Sequence, residues 1–266
     1  MTRVIAIANQ KGGVGKTATA VNLATFIGLK RRTLLLDFDP QGHCAMSFAL
    51  DPSLLTPTIY DVLFGRASAR DAIRSLRENT SLLPAYKDLA IGEVELRDAL
   101  RGEERLRRAI ESVSGDFEYV VIDCPPSLGL LAINALLAAQ TVIIPISSPM
   151  AHKGTTRLAE LMDEINTAFD QSWDIYALQT FYRQGVRESE SLRERLAKDF
   201  SDNLLDSKIN LNTAISTAMG AGRPILDYPN TSGYLDYRRF AEEVINVSEA
   251  KQAVGGQAIG GRGGRQ

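Results

Sequence analysis

The apolar run Val4-Ile5-Ala6-Ile7 is followed within a few residues by Lys11-Gly12-Gly13-Val14-Gly15-Lys16-Thr17, and a helical pattern starts at Lys16. A strand, a glycine-rich turn and a helix in immediate succession leave few folds open. The glycines let backbone N–H groups turn inward around an anion, and the start of the helix adds the positive end of its dipole. Lys16 is then placed to reach the β- and γ-phosphates of a nucleotide, and the Thr17 hydroxyl to ligate Mg2+. The predicted nucleotide contacts are Lys11, Gly12, Gly13, Val14, Gly15, Lys16, Thr17 and Ala18.

The rest of the chain fits a sheet built around that unit. Strand-type runs are predicted at 3–8, 33–38, 81–85, 119–123, 141–146 and 175–181, with a shorter one at 206–209. Helical patterns fall between them, at 16–30, 89–100, 103–113, 128–139, 153–169, 188–200 and 234–247. Strand alternating with helix implies right-handed crossovers. The predicted fold is α/β: a doubly wound, mostly parallel sheet flanked by helices, of the P-loop NTPase kind. Ligands bind such sheets beyond the carboxyl ends of the strands, and the motifs lie there.

Two more strand ends carry carboxylates. Leu34-Leu35-Leu36 runs into Asp37-Phe38-Asp39-Pro40-Gln41-Gly42, and Tyr119-Val120-Val121-Ile122 runs into Asp123-Cys124-Pro125-Pro126. Asp39 is the candidate for orienting an attacking water. Asp37 and Asp123, with Thr17, are candidates for the magnesium side of the site. Pro125, Pro126 and Gly129 shape a loop suited to sensing a γ-phosphate, and movement of such loops on hydrolysis is a recurring switch.

Composition narrows the compartment and partners. The 266 residues carry a net charge of −2, so no global basic field advertises nucleic acid and any DNA contact must come from a local patch. The two cysteines, Cys44 and Cys124, fit no metal spacing, and a reduced cytoplasmic setting is the simplest expectation. The stretch from Cys124 to His152 has no charged residue. Prolines and polar residues divide it into loop, buried helix and buried strand, as a sheet covered on both faces requires. The expected organisation is one domain over 1–250 and a glycine-rich, disordered tail over 251–266.

These segments together resemble the ParA/Soj family of partition ATPases, within the deviant Walker A group. The resemblance runs through "KGGVGKT", "DFDPQG", "VVIDCPPSLGLLAINALLAAQTVIIPI" and "GRPILDY", in the family's order and over most of the chain. It gives Lys11 a meaning. In that family the first lysine of the loop reaches across a nucleotide-sandwich dimer to the phosphates held by the partner subunit. The resemblance implies ATP and Mg2+ as ligands and Lys11, Lys16 and Asp39 as catalytic residues. It also implies an ATP-dependent homodimer that binds double-stranded DNA without sequence preference and is nucleoid-associated in that state. A ParB-like or cargo-adaptor protein would stimulate slow hydrolysis, and the cargo would be a plasmid, a chromosome or a protein assembly. By similarity Asn212 lies near the adenine.

The sequence also departs from the family pattern. The segment Ile209–Met219 has none of the arginines that many members use for DNA. The remaining basic candidates are Arg187, Arg193, Lys208, Arg223, Arg238 and Arg239, and Glu188, Glu190 and Glu194 lie among the first of these. Ala18 stands where the family commonly has threonine. Two other readings use the same scaffold. A MinD-like membrane regulator would need a C-terminal amphipathic helix, which a glycine-rich tail does not supply, so no membrane partner is expected. A small-molecule-dependent ATPase would need a substrate pocket. His43 and His152 show no carboxylate partner at ligand spacing and read as surface or loop histidines.

Overall fold

The computed structural model describes residues 2–259, with side chains described through residue 250. Eight strands form a single sheet: β1 (Arg3–Ile7), β2 (Thr33–Asp37), β3 (Arg74–Arg77), β4 (Thr80–Leu83), β5 (Tyr119–Asp123), β6 (Thr141–Ile146), β7 (Asp174–Tyr182) and β8 (Leu204–Asn210). Their spatial order is β3-β4-β2-β5-β1-β6-β7-β8. Every pairing is parallel except β3 with β4. The α/β doubly wound architecture predicted from the alternation is the one observed.

Among the described residues, twelve α-helices accompany the sheet. They are α1 (Lys16–Ile27), α2 (His43–Met46), α3 (Ile59–Leu63), α4 (Ala69–Ala72), α5 (Asp88–Asp98) and α6 (Arg105–Glu111). Then come α7 (Leu130–Ala138), α8 (Pro149–Lys153), α9 (Thr155–Phe169), α10 (Arg187–Phe200), α11 (Thr213–Gly220) and α12 (Ser232–Ile259). Successive side chains on a strand point to opposite faces. Val4, Ala6, Leu34, Leu36, Val120 and Ile122 therefore join one core with α5, α6, α7, α9 and α10. Ile5, Ile7, Leu35, Val121 and Ile143 join the other with α1 and α12. Each fully buried Leu or Ile in these layers contributes about 1.5–3 kcal/mol of transfer free energy.

Burial on both faces explains the uncharged stretch after Cys124. All residues of β6 are buried, and so is most of α7. Among the described residues no helix is long and apolar enough to cross a membrane. Helix α12 continues to Ile259, past the expected helix end at residue 247 and past the boundary placed at 250. Residues 260–266, the end of the glycine-rich stretch, lie outside the described residues.

Candidate nucleotide site

Strands β1, β2 and β5 lie side by side, and their carboxyl ends align: Ile7 is level with Asp123, and Asp123 with Asp37. The phosphate-type loop and both carboxylate motifs therefore meet at one edge of the sheet, although Asp37 and Asp123 are far apart in sequence.

The loop between β1 and α1 is held by an internal bond and from two neighbouring strands. Asn9 Oδ1 accepts from the Lys11 N–H at 2.9 Å, and Asn9 Nδ2 donates to the Pro145 carbonyl at 2.8 Å, tying the loop to β6. The Thr180 hydroxyl donates to the Val14 carbonyl at 2.9 Å, tying it to β7. Gly13 and Gly15 take positive φ of 74° and 88°, conformations a side chain would strain. Gly15 is the N-cap of α1, so the helix begins at Lys16 as predicted. The outer face of Gly12 and Gly13 is open, with no atom near where a Cβ would stand. Val14 is buried, and Ala18 packs on the core beneath α1.

The two lysines face different surroundings. Lys16 is 8% exposed, and its Nζ donates to the Lys11 carbonyl at 3.4 Å. Burial pushes its pKa down, against the pull of Asp123, then Cys124 and Asp39. The Lys11 side chain is exposed and makes no ion pair among the described residues.

The carboxylates form a buried acidic cluster. Asp37 accepts from two backbone N–H groups, Asp39 at 3.2 Å and Cys44 at 3.0 Å, so it braces the turn that carries Asp39. Burial and the neighbouring Asp123 raise its pKa well above the ordinary carboxylate range. Asp39 is 9% exposed, and its Oδ1 accepts from the Gln41 N–H at 3.0 Å. Asp123 Oδ2 accepts from the Cys44 thiol at 3.5 Å, whereas the buried Oδ1 has no hydrogen-bond partner. Burial raises the Asp123 pKa to about 6; the Thr17 hydroxyl is the largest opposing influence, and Asp39 pushes it further up.

A divalent cation fits this donor set. A buried carboxylate oxygen without a partner is costly, and hard oxygen donors suit Mg2+. Asp123 supplies such an oxygen, Thr17 lies beside it, and Asp37 stands behind.

Other predicted residues are more scattered. Asn212 is the N-cap of α11: its Oδ1 accepts from the Ala214 N–H at 2.8 Å and its Nδ2 donates to Ser232 Oγ at 2.7 Å. The basic candidates spread over four places. Arg187, Arg223, Arg238 and Arg239 are exposed. Lys208 lies over the Tyr182 ring at 3.8 Å, and Arg238 pairs with Glu242 at 3.9 Å. Arg193 turns inward and donates to the Leu205 carbonyl at 2.8 Å, joining α10 to β8. His152 does have an acidic partner: its Nε2 lies 3.0 Å from Asp199 of α10, a pairing that sequence spacing hid.

Sequence reasoning missed Asn9, Thr180 and Phe181. Asn9 offered a signal, since asparagine after a strand commonly bonds the backbone two residues on. Phe181, at φ 52°, stacks close over Gly15 from a segment 166 residues away, and nothing local marks it.

A family model for the AAA domain matches residues 2–175. The chain is 38% identical over 262 residues to the chromosome partitioning protein ParA of Caulobacter vibrioides, covering 94% of this chain and 97% of that protein. The chain belongs to the ParA/Soj family. It is 36% identical over 249 residues to the sporulation initiation inhibitor protein Soj of Bacillus subtilis, covering 92% and 98%. Among solved structures, cobyrinic acid a,c-diamide synthase from Mycobacterium smegmatis with bound ADP and magnesium superimposes with a TM-score of 0.83. It is 32% identical, over 94% of this chain and 97% of that one. The ParA/Soj scaffold thus carries its phosphate loop and acidic cluster on a fold shared with a synthase.

Proposed function

We propose that the chain is an ATP-driven dimerising switch of the ParA type, which binds DNA non-specifically and positions or segregates a cargo. The observation that carries this reading is the division of labour between the two loop lysines. Lys16 is buried against its own loop and acidic cluster, whereas Lys11 is exposed and makes no ion pair among the described residues. A cation held out from the loop can reach phosphates bound by a second copy, and a cation supplied in trans stabilises the charge of phosphoryl transfer. Dimerisation then depends on the nucleotide, which is the coupling a switch requires.

In this reading Lys16 holds the β- and γ-phosphates, and the N–H groups of residues 12–17 cradle them. Thr17 and Asp123, backed by Asp37, would hold Mg2+, which neutralises phosphate charge when bound. Asp39 orients the water that attacks the γ-phosphate, giving ADP and phosphate. A ParB-like or cargo-adaptor protein would speed that step. The name of the ParA relative, a chromosome partitioning protein, supports partition as the setting. Exposed Arg187, Arg223, Arg238 and Arg239 are the remaining contacts for DNA phosphates, and the ATP-bound chain would be nucleoid-associated in the cytoplasm.

Binding to random-sequence duplex DNA, with ATP and with ADP across a salt series, tests this reading. Salt-sensitive binding only with ATP supports it, and the salt slope counts phosphate contacts. No binding in either state contradicts it.

One observation favours a second reading, a small-molecule-dependent ATPase. A cavity of about 270 Å3, lined by Ser147, Phe181, Arg183, Ser189 and Leu211, opens beside the loop through Phe181, and a structural neighbour is a synthase. ATP turnover that requires an added carboxylic acid would support it.

A further inference from the structure

We infer that Glu93, on α5, is a positioning residue that holds the loop 125–129 behind Asp123 by capping helix α7 from outside. The inference rests on the reading of that loop as the γ-phosphate sensor.

Helix α7 starts without the usual devices. Its N-cap is Gly129, which has no side chain to offer, and its first turn carries no acidic residue. The first N–H groups of a helix need acceptors, and its N-terminus favours a negative charge. Glu93 supplies both from another element: its Oε1 accepts from the Leu131 N–H at 3.4 Å. A Cβ built on Gly129, whose φ is an ordinary −87°, would collide with the same Oε1. A side chain at 129 would therefore push the Glu93 carboxylate aside, although the backbone conformation there would admit one.

The rest of α5 is fixed, so Glu93 acts from a firm base. Gly92 packs tightly against the Tyr60 ring of α3. Glu95 accepts from the Tyr60 hydroxyl at 3.2 Å and lies 3.7 Å from Arg66. Helix α7 is pinned further along, where Asn134 Nδ2 donates to the Gly102 carbonyl at 2.9 Å and Asn134 Oδ1 accepts from the Leu106 N–H at 3.1 Å. The segment between β5 and α7 spans the gap between these anchored elements. One end is set by Asp123, the other by Glu93. The Glu93 carboxylate thus gives the Leu131 N–H an acceptor at 3.4 Å and places a negative charge beside the helix N-terminus. Releasing it frees the end of the loop away from the nucleotide, which changes how the loop meets the γ-phosphate while leaving the phosphate cradle on β1 and α1 intact.

The test combines hydrogen exchange on the nucleotide-free chain with ATP turnover. Glu93→Ala is expected to speed amide exchange of residues 127–131 about tenfold while β1 and β5 keep their protection. Turnover should fall about tenfold in kcat, with KM and ATP affinity within about twofold. Glu93→Gln keeps a carbonyl acceptor and should recover most of both. Gly129→Ala displaces the carboxylate and should copy Glu93→Ala, yet add little once Glu93 is alanine. Wild-type exchange in Glu93→Ala, a global loss of protection, or full additivity of the two changes would each overturn the inference. The exchange arm needs no hydrolysis. A chain that turns over no ATP but shows the local exchange pattern would refute the proposed function and leave the Glu93 contact standing.

Discussion

The ammonium of Lys16 lies 3.4 Å from the backbone carbonyl oxygen of Lys11, five residues earlier in the same loop. The buried cation is thus kept from isolation by its own loop and by Asp123 and Asp39. Nucleotide phosphates would take the place of that carbonyl contact, which couples occupancy of the loop to the backbone position of the exposed lysine. Lys16→Ala is expected to lose nucleotide binding while staying folded, because it deletes a strained charge along with the phosphate contact. Titration with a fluorescent ATP analogue checks this; tight binding by the variant would remove Lys16 from the site.

Asp39→Ala separates binding from turnover. Asp39 sits on a turn that Asp37 braces through the Asp39 and Cys44 N–H groups, so the alanine variant loses its own bond to the Gln41 N–H but keeps that brace. It should bind ATP at near wild-type affinity and hydrolyse it at least 100-fold more slowly, as loss of a water-positioning group commonly does. Single-turnover assays decide; wild-type rates would assign the water to another residue.

The acidic cluster makes a pH prediction. The folded-state pKa of Asp123, about 6, lies above the ordinary carboxylate value of 3.8. Between these values the folded chain retains a proton that the unfolded chain has lost, so stability falls as pH rises through that window. Above about pH 6 the nucleotide-free chain bears the full cost of a buried carboxylate beside Asp37 and Asp39. Asp123→Asn should therefore raise the melting temperature without nucleotide at pH 7.5 by a few degrees and lose the magnesium-dependent part of the stabilisation by ATP. A variant that melts lower without nucleotide would contradict the account.

The basic residues divide by burial. Arg193→Ala should lower stability by about 1–3 kcal/mol, since its guanidinium is hydrogen-bonded to the Leu205 carbonyl on β8, and leave the salt slope of DNA binding unchanged. Arg239→Ala should reduce that slope by about one and weaken binding alike on all sequences. Filter binding on two unrelated duplexes measures both; the reverse pattern would mean that α12 does not face DNA.

The sheet and the site's centre were legible because buried parallel strands read as unbroken apolar runs, and the chemistry sits within two residues of their ends. Asp37, Asp39 and Asp123 could be placed for that reason. The short helices α2, α3 and α4 could not, since four or five residues hold barely one helical period. Edge strand β3, with arginines at both ends, carries no strand pattern. Contacts between distant segments left no trace either: Thr180 with Val14, His152 with Asp199, and Glu93 with Leu131 each join residues whose pairing only the topology creates.

The most direct test of the switch is light scattering of Asp39→Ala, with and without magnesium and ATP, beside the same chain also carrying Lys11→Ala. The account predicts twice the monomer mass for Asp39→Ala only when ATP is present, and monomer mass for the double variant although it still binds ATP. A double variant that dimerises as well as its parent would contradict the role of Lys11 in trans.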